Sequence, residues 1–387
     1  MVSVENFYHV LYEHLLKPVN FRMRYFWPFG TTDNLMYDLN PRIDGYRTGR
    51  SGSLVLFHHD QEPIYEESLS IIEDAAWVAR PHRNPRVLAN SEKSQIKRQI
   101  CQKLGFFDWY FFYHGFAALD WYRDANYLDP DDYISHAFIS LNHLSRDLRS
   151  YRISLMARMI ESEILPKGLV SFHGTSQDIR DELQSSRSYL SDHSKKLIER
   201  HMTCTLPLII DKQDITGATS ADFGFQSYHM RCKALFHVVN ETVFYHDKLH
   251  LTEKVFQPIV CGRPFILAAA PGNLDYLKSY GFQTFDNWID ESYDNERDPD
   301  RRMDLIVDQL HSLCALPLKN IRSMLTDMKP VLEHNKKHFF GEFRRMIVNE
   351  CVENFQQCLR IWNNGRVDDR VMPLHPDLDS VKHLLLR

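Results

Sequence analysis

Along this chain, short unbroken apolar runs alternate with longer segments in which apolar residues recur every three or four positions. That alternation predicts α/β layering, not an all-helical or all-β chain. The run 53–57 leads into His58, His59, Asp60, Gln61, Glu62 and Pro63, a buried strand entering a polar loop that the proline helps to close. Residues 86–90 predict a second strand, and Ser91 opens an amphipathic helix with the serine as its cap. The aromatic stretch 107–114 predicts a further core strand. Asp129, Pro130, Asp131 and Asp132 then separate two strand–helix series and mark a domain boundary.

The second series opens with a strand at 136–142 and a helix over about 149–163, whose Ile153, Met156, Met159 and Ile160 share one face. Strands follow at 168–172, 235–239, 263–268 and 284–285, separated by helix-length segments, as a doubly wound sheet requires. From His338 to Trp362, apolar residues at helical spacing predict one long packing helix. The expected domains are 1–133, 134–337 and a C-terminal helix and tail at 338–387.

Composition narrows the class. The chain has 387 residues, 43% hydrophobic and 25% charged, enough for two globular domains and unlike a disordered chain. Its net charge of −5 excludes nucleic-acid binding by bulk positive charge and leaves room only for a local basic groove. The seven scattered cysteines form no C-x-x-C pair and read as buried thiols in a reducing compartment. Glu5, His9, Glu13 and His14 interrupt the apolar run that a signal peptide needs, and nothing approaches the ~18 apolar residues of a membrane span. The expectation is a cytoplasmic protein with no membrane partner.

Candidate chemistry concentrates at 240–265. A strand delivers Asn240 and Glu241 to its carboxyl end, His250 follows in a loop, and Thr252, Glu253 and Lys254 open a helix. Free N–H groups, the helix dipole and the Lys254 charge favour a phosphate there, and a carboxylate can grip ribose hydroxyls. The same residues also suit an ordinary capped helix with Glu253 in its first turn. His58 and His59 point apart on an extended chain, and no Asp-x-Asp motif has a convincing loop context, so no metal is expected.

The Asn–Glu pair, the short loop, the Thr252-Glu253-Lys254 sequence and Pro264-Phe265-Ile266 on the next strand resemble the donor-binding segment of α-1,3-fucosyltransferases. The block 236–294 is also similar to fucosyltransferase-like enzymes of tailed phages. Two weaker segments agree in order: Ser140 to Asn142 with Arg146, Arg149 and Arg152, and the acidic loop at 60–63. The resemblance implies a GT-B fold, two Rossmann-like domains facing across a cleft, and an inverting glycosyltransferase using a GDP- or UDP-linked sugar. It implies donor contacts by Asn142, Arg146, Arg152, Glu241, His250, Thr252, Glu253 and Lys254, with Arg152 forking onto the diphosphate. This chain has Asp60, Gln61 and Glu62 where the family has Glu-Asn-Glu. Glu62 is the expected base that deprotonates the acceptor, with Asp60 second.

The acceptor is a glycan hydroxyl or a hydroxymethylated pyrimidine in phage DNA, and a basic segment tilts the expectation slightly toward DNA. From Arg80 to Lys103, seven cations oppose one acid, and aromatic residues crowd 106–113. Arg83, Lys93, Lys97 and Arg98 could follow a DNA backbone while the aromatics stack an extruded base. The same stretch also fits a solvated helix ahead of a core strand. The acidic run from Asp286 to Asp304 reads as a solvated loop. A rival of another class is a non-catalytic protein that binds nucleotide sugars or nucleic acid.

Overall fold

The computed structural model describes residues 3–19, 21–26, 36–38, 53–58, 62–65, 69, 72–73, 86–127, 133–202, 206–211, 225–364 and 377–386. Asp60, His59, Arg80, Arg83 and the acidic segment 129–132 lie outside them. The chain is mixed α/β and divides into two compact units, Met1–Asp120 with Glu342–Arg387, and Trp121–Gly341. The division thus falls at 120/121, ahead of the expected 133/134, and the C-terminal helix belongs to the first unit instead of standing apart. Among the described residues, no helix is long and apolar enough to cross a membrane.

In the first unit, helix α1 (Val4–Val10) precedes strands β1 (Phe21–Phe26), β2 (Met36–Asp38), β3 (Ser53–His58) and β4 (Arg86–Asn90). The two-residue strand β5 (Lys93–Ser94), helix α2 (Gln95–Leu104), strand β6 (Phe107–Tyr110) and helix α3 (Tyr113–Trp121) follow. The sheet runs β2-β1-β3-β4-β6, parallel except for β2. Helix α2 starts later than its pattern suggests, because Ser94 is the residue whose hydroxyl accepts from Lys97 N, at 3.1 Å. Ser91 instead accepts from Tyr113 N at 3.2 Å, where the chain turns from β6 into α3. The aromatic run therefore splits between a four-residue strand and a helix.

Those aromatics form the core. Trp109, Phe111 and Phe112 are fully buried; the Trp109 ring lies 4.6 Å from that of Phe355, and its indole N–H donates to Cys351 O at 2.8 Å. Phe355 and Cys351 belong to a helix (Arg344–Asn364), which a π-turn (Phe339–Phe343) joins to the preceding Leu318–His338. The expected single helix from 338 is thus a π-turn followed by the Arg344–Asn364 helix, with a separate helix before it.

The second unit holds β7 (His136–Asn142), α4 (Tyr151–Glu161), β8 (Gly168–Phe172), α5 (Ser176–Gln184), α6 (Asp192–His201) and α7 (Phe225–Cys232). Then come β9 (Ala234–Asn240), the two-residue β10 (Lys248–Leu249), α8 (Phe256–Val260), β11 (Phe265–Ala268), α9 (Asn273–Ser279), α10 (Pro299–Cys314) and α11 (Leu318–His338). Its four-stranded sheet is wholly parallel in the order β11-β9-β7-β8. All seven residues of β9 are buried, the unbroken apolar pattern of a strand covered on both faces. The expected strand at 284–285 is absent: Thr284 and the Phe285 N–H are instead bonded to the Glu291 carboxylate at 2.7 Å each.

The acidic run is structural rather than a solvated loop. Asp298 caps α10 by accepting from Arg301 N at 2.8 Å, and Asp300 lies 3.0 Å from the buried Arg158 guanidinium. Asp294 is buried beside the first turn of α9, accepting from Leu274 N at 3.0 Å. Burial outweighs the backbone hydrogen bonds there and pushes its carboxyl from 3.8 up to about 6. The folded chain therefore holds this proton more tightly than the unfolded chain, so its contribution to stability is lost as pH rises from about 4 to about 6. Asp294→Asn should remove that dependence. In urea unfolding at pH 4, 5, 6 and 7, the stability of wild type relative to the variant should fall through this window by at most about 3 kcal/mol.

Candidate functional site

In the second unit, β8 lies on one side of β7, while β9 and then β11 lie on the other. The segments leaving β7 and β9 therefore depart in opposite directions, and the carboxyl ends of these two strands form the topological switch point at which open α/β sheets bind ligands. Asn142 ends β7 and Asn240 ends β9. Both are buried, and both donate their amide to Ser140 Oγ, at 3.2 and 3.1 Å. Among the described residues, their side-chain oxygens are enclosed without a hydrogen-bond partner.

Buried main-chain carbonyls at such a strand end need donors. Arg152, in the first turn of α4, supplies them. It donates to Leu144 O at 2.7 Å, Asn240 O at 2.8 Å and Glu241 O at 3.2 Å, while Tyr151 OH donates to Glu241 O at 2.6 Å. Arg152 is 5% exposed, with its guanidinium turned onto the main chain. Where the resemblance implies a bidentate fork onto a diphosphate, the guanidinium here ties the segment after β7 to the end of β9. Arg146 is exposed and paired with Asp178.

Glu241 is fully buried. Its carboxylate accepts from Thr252 N at 3.1 Å, Thr252 Oγ1 at 2.6 Å and Thr242 N at 3.3 Å. Burial raises its pKa, opposed by the Lys254 charge and the Thr252 hydrogen bonds. Lys254 Nζ lies 3.2 Å from Thr252 Oγ1 and 2.9 Å from Glu253 Oε1. His250 is buried, and its N–H donates to Asn273 Oδ1 at 3.0 Å. Of these residues, only Lys254 presents part of its charged side chain, 30% exposed, while Glu253 is at 4%. The Glu241 carboxylate, one of the two that could grip a ribose, is instead bonded internally to Thr252. The helix start is a 3-10 turn (Glu253–Val255) before the five-residue α8, so its dipole is short, and Lys254 is the cation with part of its side chain open to solvent.

Beside this edge, the Tyr245 and Tyr189 rings stack at 5.3 Å, with Tyr189 39% exposed and the Tyr245 hydroxyl 3.2 Å from Ser150 Oγ. A second cluster lies at the ends of β7 and β8. His143 and His173 stack at 4.1 Å, and both point Nε2 at Asp211, at 2.9 and 2.8 Å. Ser171 Oγ donates to the same carboxylate at 2.5 Å. Burial pushes the Asp211 carboxyl up, but the hydrogen bonds from His143, Ser171 and His173 prevail and hold it below the usual carboxylate range. The register pairs Asn142 with Phe172, which places the next residues, both histidines, side by side. That adjacency is latent in two predicted strands each followed by histidine; nothing local marks Asp211.

In the first unit, Glu62 is half-buried just ahead of the fully buried Ile64. Among the described cations of the basic segment, Lys97 is buried and Arg86 partly buried, while Lys93, Arg98 and Lys103 are exposed. Lys97 is 3% exposed, donates to Glu92 O at 2.6 Å and pairs with Asp108 at 2.9 Å, so it is a core lysine and not a phosphate contact. Lys93 lies over the Tyr110 ring at 4.6 Å and 3.8 Å from Glu350; Lys103 pairs with Glu73. Arg98 is exposed. Because Phe106 and 109–113 are buried, they offer no surface for stacking a base.

Comparison of the chain with family models, curated proteins and solved structures finds no match.

Replacing the Arg152 fork by an ammonium leaves buried carbonyls short of donors. Arg152→Lys should therefore destabilise the protein by about 2–4 kcal/mol, seen as a lower urea midpoint. An unchanged midpoint would show that the fork is dispensable for the fold.

Proposed function

We propose that the second unit binds a nucleoside-diphosphate sugar at the carboxyl edge of its parallel sheet, and that the protein transfers the sugar to an acceptor hydroxyl. The observation that carries this reading is Lys254, held by Thr252 and Glu253 at the switch point with its charge partly open to solvent. A cation so placed suits a diphosphate. The exposed Tyr189, stacked on Tyr245, offers a face for the nucleobase. The motif resemblance to α-1,3-fucosyltransferases adds the reaction class and the GT-B arrangement, with the first unit as the acceptor-binding half and Glu62 as base.

The proposed acceptor is a glycan hydroxyl. The buried aromatics and the buried Lys97 weigh against a DNA acceptor, although Lys93 and Arg98 are exposed, and hydroxymethylated DNA becomes an outcome of the test.

Calorimetry with a panel of GDP- and UDP-linked sugars should find one that binds. Lys254→Ala should weaken it by roughly 10- to 150-fold, the equivalent of about 1.5–3 kcal/mol for a charge-assisted hydrogen bond. Absence of binding by every member of the panel rejects the reading. With the bound donor, Glu62→Gln should lower turnover by ~100-fold or more while binding is retained. Binding without turnover on any glycan or hydroxymethylated duplex would identify a binding protein instead.

A further inference from the structure

His143, His173 and Asp211 come from three separate stretches of chain, and each is fixed independently. His143 and His173 each follow the last residue of a β-strand, and His173 N continues the ladder by donating to Asn142 O at 2.9 Å. Asp211 is placed by a backbone bridge: Phe172 and Leu208 exchange N–H···O bonds of 2.6 and 3.0 Å, and Ile210 N donates to Ser171 Oγ at 3.4 Å. Three residues beyond Leu208, the carboxylate bridges the Nε2 atoms of the two stacked imidazoles. The three side chains each offer one ligand atom, and these atoms all lie within 4.8 Å of one another.

We infer that His143, His173 and Asp211 form a binding site for a divalent transition-metal cation of the zinc type. Two imidazoles and one carboxylate are the donor set that Zn²⁺ takes where one coordination position is left open. Metal–ligand distances of about 2.0–2.2 Å in a tetrahedron place neighbouring ligand atoms about 3.3–3.5 Å apart. His173 Nε2 lies 2.8 Å from Asp211 Oδ1 and His143 Nε2 lies 2.9 Å from Asp211 Oδ2, and the three ligand atoms all lie within 4.8 Å, so side-chain adjustments of about 1 Å bring one carboxylate oxygen and both imidazoles to that spacing, with the cation replacing the imidazole protons now shared with the carboxylate. Ser171 Oγ, bonded to Asp211, is the outer partner that orients the ligand. The His173 and Asp211 side chains are 2% and 11% exposed, whereas His143 is 33% exposed, so the open position faces the His143 side. The site is independent of the sugar-nucleotide reading and departs from the expectation that no metal is bound.

The full-length protein, stripped with chelator and dialysed, should take up Zn²⁺ in calorimetry with one tight equivalent. Co²⁺ should occupy the same site and give the visible absorption of a low-coordinate N/O site without thiolate charge-transfer bands. Loss of outer-sphere partners elsewhere weakens metal binding by roughly 10–100-fold, so Ser171→Ala should fall in that range and His143→Ala should lose more. Circular dichroism verifies folding of each variant, and the wild-type titration stands on its own. The proposal is overturned if wild type binds no equivalent of Zn²⁺, if His143→Ala and Asp211→Asn both bind it as tightly as wild type, or if Co²⁺ shows thiolate bands.

Discussion

The carboxyl end of the second sheet depends on satisfying carbonyls that the strands themselves cannot pair. Where β9 stops, Asn240 O and Glu241 O lie in a buried environment, and an unpartnered polar group there costs on the order of 1–3 kcal/mol. Arg152 and Tyr151, adjacent on α4, meet this requirement together. The guanidinium also reaches Leu144 O, so one side chain fixes the segments after β7 and β9 against each other. Tyr151 stacks on Phe244 at 4.3 Å, which holds the next stretch of the loop in the same position.

With the strand end fixed, the remaining polar groups fall into order. Glu241 faces Thr252, Thr252 faces Lys254, and the Ser140 hydroxyl receives both terminal asparagine amides. Charge is enclosed here because it is hydrogen-bonded throughout, the condition under which a low-dielectric interior tolerates it. Lys97 with Asp108, and Arg158 with Asp300 and Asp304, follow the same rule. A tally of cations in the basic segment overstates its surface potential, since three of them, Lys93, Lys97 and Lys103, are paired with Glu350, Asp108 and Glu73.

The sheet ends also show how strand register makes chemistry that no single segment contains. Parallel pairing of Asn142 with Phe172 brings two histidines thirty positions apart into stacking contact. A carboxylate from a third segment is brought against both Nε2 atoms by two backbone hydrogen bonds. Each of these steps is a long-range contact.

What was legible in the sequence follows from burial. Strands 86–90, 136–142 and 168–172 stand where continuous apolar runs place them, because a parallel strand covered on both faces admits few polar residues. The donor-like segment 240–254 was legible as a strand end followed by a capped turn, and Thr252 does accept from Lys254 N. Local pattern could not show that Glu241 and Arg152 are spent on the protein itself, that the aromatic run folds inward, or that 284–285 is held by Glu291 instead of a sheet. It also could not show Asp211 beside two histidines. Periodicity reports which side of an element is apolar; the partners of a buried charge lie tens to hundreds of residues away, and only the packed tertiary structure chooses them.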